Sequence, residues 1–105
     1  MAQFSVYRNP NPATRTAMPL LLDVQTDLLS QLGTRVVVPL CPSAAMKGRI
    51  VKTLMPELAI EGKRYVMLTP QLAGVERRAV GGKVADCAAQ RDLIIAALDL
   101  LVTGI

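Results

Sequence analysis

Side chains able to do chemistry are few in this chain. Its 105 residues include no histidine, which removes the commonest general base and the commonest metal ligand. Asp23 and Asp27 stand four apart and come closest to a carboxylate pair. Their spacing fits no acid–base or metal motif, and both are expected to be solvated at the surface. A serine or cysteine nucleophile would lack its usual basic partner. Cys41 and Cys87 match no metal spacing and are expected as free thiols of a reducing cytoplasm. Gly81-Gly82 opens no phosphate-binding loop and reads as a turn. Arg77-Arg78 is a lone basic pair, a weak signal for phosphate. These residues favour binding over catalysis, with no metal and no cofactor.

Composition narrows the partners. Apolar residues make up 51% and aromatic residues 3%, so aliphatic side chains must fill the core, and a base-stacking platform is excluded. The net charge of +4 comes from scattered basic residues, which read as solvated surface or as attraction for an acidic partner. One domain, residues 1–105, is expected. No N-terminal signal pattern is present, and Leu93 to Val102 is too short to span a membrane.

The elements that must position these groups are legible in part. Asp86 to Ile105 carries the one long helical pattern, with Asp86 as N-cap and Gly104 as the stop. Gln90, Ile94, Ala97, Leu98 and Leu101 fall on one face; Arg91, Asp92, Ile95 and Asp99 form a second, mostly polar face. Strands are expected at Phe4–Tyr7, at Leu20–Val24 and at Arg35–Leu40 with its β-branched run. With Leu20, Leu22 and Val24 inward, Asp23 points outward. Pro39 marks a strand end, an edge or a bulge. A hairpin turns at Glu61-Gly62. On the turn-like stretch closed by Gly33, Leu28 and Leu29 are adjacent. Either one leucine is exposed or a helical turn buries one of them. Short strands followed by a helix give an α+β protein, a curled antiparallel sheet packed on a C-terminal helix.

The stretches Gln3-Phe4-Ser5-Val6-Tyr7, Asp23-Val24-Gln25-Thr26-Asp27-Leu28-Leu29, Val38-Pro39-Leu40, Met67-Leu68-Thr69, Val84-Ala85-Asp86 and the Gly104-Ile105 end run the full length of the chain. Each is weak alone; in this order, the chain resembles the CcdB family, toxins of plasmid and chromosomal toxin–antitoxin pairs. The resemblance implies an SH3-like barrel of antiparallel strands with one C-terminal α-helix, forming a cytoplasmic homodimer that is not an enzyme. Such toxins bind the A subunit of DNA gyrase and trap its DNA-cleavage complex, causing double-strand breaks. A cognate antitoxin neutralises them through a disordered C-terminal segment. Neither a membrane nor a specific nucleic-acid sequence is a direct partner.

Carried onto this chain, the resemblance implies gyrase-binding positions at Thr26, Leu28, Leu29, Asp99, Thr103, Gly104 and Ile105, supported by Gln3, Phe4 and Tyr7. In a twofold dimer both tails would build one surface near the axis. The best-known form of the family ends in Trp-Gly-Ile, where this chain has Thr103. Threonine lacks the indole's apolar area and its cation–π attraction, worth about 0.5–2 kcal/mol per contact. Asp99 is the candidate to compensate by pairing with a gyrase arginine. For the antitoxin, the candidate segments are Arg8 to Arg15 and Ser43 to Lys52, with no individual residue assigned. Two other readings stand beside this one: a related protein of lost toxicity or different target, and a ribonuclease toxin on the same barrel.

Overall fold

The computed structural model of the chain describes residues 1–104. Among them, seven strands join one antiparallel sheet: β1 (Ser5–Arg8), β2 (Leu20–Asp23), β3 (Thr34–Pro42), β4 (Glu57–Ile60), β5 (Lys63–Met67), β6 (Ala73–Glu76) and β7 (Lys83–Asp86). One α-helix, α1 (Arg91–Thr103), follows them. The sheet runs β4-β5-β3-β2-β1-β7, with β6 also on β3, and curls into a half-barrel. The α+β expectation holds.

The central strand is β3. It pairs β2 along one edge, from Leu20 opposite Leu40 to Asp23 opposite Val37. Its other edge pairs β6 through Thr34–Val37 and then β5 through Leu40–Pro42. Pro39 falls at the hand-over between those two partners. Its carbonyl accepts from the Leu68 N–H at 3.0 Å on that side, so its missing N–H lies where neither strand asks for a donor. A proline is thus tolerated inside a central strand by a gap between its neighbours.

The hairpin turns where expected. Ile60 pairs Lys63 across Glu61 and Gly62, whose φ angles are 50° and 78°, the geometry of a two-residue turn with both residues left-handed. Apolar residues that alternate along the strands fill the barrel: Val6, Leu22, Val38, Leu40, Leu58 and Met67 are fully buried. From α1, Ile94 and Ala97 close over them. Complete burial of a leucine or isoleucine stabilises by about 1.5–3 kcal/mol. A second, smaller cluster of Cys41, Met55, Val66 and Leu68 collects Met18, Met46, Ile50 and Leu54.

The helix begins later than its N-cap signal suggests. Asp86 is not the N-cap: it ends β7, its Oδ1 accepts the Ala88 N–H at 2.7 Å, and the 3₁₀ turn Ala88–Gln90 that follows has Cys87 at its N-cap, while α1 has Gln90. Gln90 stands at the boundary between the two. Its Oε1 accepts the Ala59 N–H at 2.8 Å and its Nε2 donates to the Ala59 carbonyl at 2.9 Å. The side-chain amide thereby pairs with the free edge of β4 as a strand residue would. It joins one end of the curled sheet to the chain leaving the other end, and α1 starts only after it. At the far end Gly104 ends the helix as expected, at φ 73°, with its N–H donating to Leu100. No helix among the described residues is long and apolar enough to cross a membrane.

Candidate functional site

The stretch between β2 and β3 forms a 3₁₀ turn at Asp27–Leu29. Thr26 caps it, its Oγ1 accepting the Leu28 N–H at 3.3 Å and its carbonyl accepting the Leu29 N–H at 3.1 Å. Neither leucine is core. Leu28 is 92% exposed and Leu29 49%, so the alternative that buries one of them is ruled out.

Beneath the turn lies a buried polar cluster. Arg35 and Asp23 are both fully buried, and the Arg35 Nε and Nη2 each lie 2.8 Å from the Asp23 Oδ2. Nη2 also donates to the Gln25 carbonyl at 3.3 Å and stands 3.7 Å from the Asp27 Oδ1. The Asp23 Oδ1 accepts the Gln25 N–H at 3.0 Å. Gln25 uses both ends of its amide: Nε2 donates to the Leu29 carbonyl at 3.0 Å and Oε1 accepts the Val36 N–H at 3.1 Å. Burial pushes the Asp23 carboxyl above its ordinary range, against the opposing pull of Arg35 and the Gln25 N–H. The expectation of a solvated Asp23 is therefore corrected. All four residues of β2 are buried, and the strand tolerates an acid because a guanidinium from β3 meets it. Asp27 is solvated as expected.

The N-terminal residues join this cluster. Gln3 donates from its backbone N–H to the Asp27 Oδ1 at 2.9 Å and from Nε2 to the Val24 carbonyl at 3.2 Å. Phe4 is buried in the left-handed region at φ 69°, held by its N–H to the Asp23 carbonyl and by its own carbonyl, which accepts from Cys87. Tyr7 is buried, with its hydroxyl accepting the Ala2 N–H at 3.3 Å. Phe4 and Tyr7 can support a binding surface but do not form one.

The helix end is a separate exposure. Asp99, Val102, Thr103 and Gly104 are exposed, Val102 at 80%. The Thr103 hydroxyl turns back to donate to the Asp99 carbonyl at 2.6 Å, so it faces its own helix. Ile105 lies outside the described residues. The hydrogen bonds that fix the helix end do not reach the Asp27–Leu29 turn. Gln3, Thr26, Leu28 and Leu29 are brought together at one turn, and no hydrogen bond among the described residues joins Asp99, Thr103 or Gly104 to them.

Arg77-Arg78 is not a phosphate clamp. Arg77 donates to the Ser30 carbonyl, just past the leucine turn, and Arg78 pairs with Glu76 at 2.6 Å. The second antitoxin candidate segment, Ser43 to Lys52, borders a cavity that no residue of Arg8 to Arg15 lines. Asn9 fastens the first loop by donating from Nδ2 to the Met18 carbonyl at 2.8 Å. That cavity, of about 350 Å³, opens between Thr16–Met18 and Cys41–Arg49, lined by Met18, Met46 and Leu68 with Arg49 at its margin. Among the described residues, no cluster of three or more His, Cys, Asp or Glu side chains has metal-binding proximity.

Arg35 and the side-chain role of Gln25 were missed in the sequence. The available signal was an acid inside an apolar strand with an arginine opening the next one.

No curated protein matches the chain. A family model described as CcdB protein matches residues 3–104. With its curled antiparallel sheet and single terminal helix, the chain belongs to the CcdB family, toxins of toxin–antitoxin pairs that poison DNA gyrase rather than catalyse a reaction of their own.

Proposed function

We infer that this chain binds the A subunit of DNA gyrase, traps the enzyme on cleaved DNA, and is released by a cognate antitoxin. The observation that carries the inference is the leucine pair. Two adjacent large apolar side chains, 92% and 49% exposed, are held out on a capped and anchored turn. Nothing in the folding of one chain rewards that exposure, whereas a partner protein that covers it does. The second half of the surface is the helix end, Asp99, Val102, Thr103 and Gly104, with Ile105 beyond it. A homodimer of this single-domain chain would gather both tails and both leucine turns into one surface. Asp99 is in no salt bridge among the described residues and supplies a carboxylate to a gyrase arginine in place of the family's indole contact.

The antitoxin reading rests on the cavity between Thr16–Met18 and Cys41–Arg49, which borders the second candidate segment. Its apolar, methionine-bearing floor suits an apolar side chain, and exposed Arg15, Lys47 and Arg49 suit an acidic segment that folds as it binds.

The test mixes the protein with gyrase, ATP and closed-circular plasmid, denatures the enzyme, and looks for linear DNA. Linear DNA is expected with the intact chain. It should be sharply reduced by Leu28→Ala with Leu29→Ala, and by removal of Thr103 to Ile105. Asp99→Ala is expected to weaken gyrase binding, and unchanged affinity would remove Asp99 from the site. No linear DNA with gyrase of the protein's own host would assign the chain a different target.

A further inference from the structure

We propose that Arg35 and Gln25 are positioning residues of the gyrase site, holding the Asp27–Leu29 turn in the conformation that presents Leu28 and Leu29. The inference rests on reading those leucines as gyrase contacts. A turn of three residues has little stability of its own, and exposed leucines tend to fold inward. Its internal bonds are short-range: Leu29 N–H to the Thr26 carbonyl and Ser30 N–H to the Asp27 carbonyl. What ties it to the barrel is longer-range: Gln3 holds Asp27 and Arg77 holds the Ser30 carbonyl from outside, and two buried side chains hold it from beneath. The Gln25 amide spans from the Leu29 carbonyl to the Val36 N–H, linking the far side of the turn to β3. On the near side, Arg35 holds the Gln25 carbonyl and lies against Asp27. Asp23 aims the guanidinium, which is fully buried and grips only through Nε and Nη2; its Nη1 has no acceptor among the described residues. A lysine could keep the charge but not the fork, and an asparagine is one methylene too short to span Leu29 and Val36. Holding the turn in advance spares the ordering cost when gyrase binds.

Gln25→Met tests the role without burying a new charge, since it keeps the side chain's length but neither accepts from Val36 nor donates to Leu29. The expected result is a gyrase A-subunit affinity weakened about five- to a hundredfold, the worth of two modest hydrogen bonds. Faster amide exchange at Leu29 and Ser30 should accompany it, with antitoxin affinity retained. In a Leu28→Ala, Leu29→Ala background the same substitution should cost nothing further, because it acts through those side chains. Equal losses in both backgrounds, or unchanged amide exchange, would overturn the positioning role. Leucine variants that bind gyrase normally would instead remove the site itself, a distinguishable failure. Arg35→Lys, which keeps a charge opposite Asp23, is the second variant and should weaken gyrase binding in the same background-dependent way.

Discussion

Two forces act on the carboxyl of Asp23. Burial disfavours its charged form, and the Arg35 guanidinium with the Gln25 N–H favours it; burial is the larger, so the group titrates above its ordinary 3.8. A pKa raised in the folded state gives stability that is fully present below the unfolded value and is lost as pH rises through the folded one. The protein should therefore be most stable, relative to Asp23→Asn, below about pH 3.8, and that advantage should shrink as pH rises. Denaturant unfolding of both proteins across acid pH measures it, and an advantage that grows with pH would mean that Arg35 outweighs burial. Removing the cation is a different matter. Arg35→Met leaves Asp23 buried and unpaired, and breaking such a pair costs about 3–5 kcal/mol. The thiol of Cys87 follows the same logic without a partner. Burial, and then the charge of Asp86, push it up from 9.0 to about 11. Being 1% exposed as well, it should resist maleimide at neutral pH in the native protein and react on unfolding.

Elements show which parts of the fold a linear pattern can reveal. The Glu61-Gly62 hairpin and the Gly104 stop were legible because each depends on neighbouring residues adopting a left-handed backbone, a local property. The exposed leucines were half legible: adjacency showed that the pair could not share one face, but not that both would be held outward. Asp23 was misread because alternation places it opposite Leu22 without showing what waits on that side, and its partner lies 12 residues on. The Gln90 bridge had no pattern at all, since a side-chain amide meeting a backbone 31 residues away leaves no period in the sequence. That bridge has a measurable role. It satisfies both polar groups of Ala59 on the β4 edge, so Gln90→Ala should destabilise the fold by about 1–3 kcal/mol, within the range for two modest hydrogen bonds. Hydrogen exchange should quicken first at Ala59, with the leucine turn unaffected. Uniform loosening of the whole sheet would instead make the bridge a general brace.

Across the molecule, the proposed gyrase and antitoxin surfaces differ in chemistry, and salt should separate them. The proposed gyrase surface draws on the leucine turn and the helix end, where Leu28, Leu29, Leu101 and Val102 are exposed. The proposed antitoxin surface is the cavity between Thr16–Met18 and Cys41–Arg49, with exposed Arg15, Lys47 and Arg49 in or next to those segments, in a chain of net charge +4. An acidic segment approaching the second surface is steered by the field of the whole protein, and such steering fades once the screening length falls below the separation of the charges. A partner that covers leucines gains mainly by excluding water, which salt does not weaken. Raising the salt from about 50 mM to about 500 mM should therefore slow association with an acidic antitoxin peptide by an order of magnitude or more, while dissociation changes little. Gyrase binding should lose much less over the same range. Stopped-flow association with each partner makes the comparison. Equal salt dependence for both would mean that one electrostatic surface serves both partners, and the division between a basic loop face and an apolar leucine face would have to be abandoned.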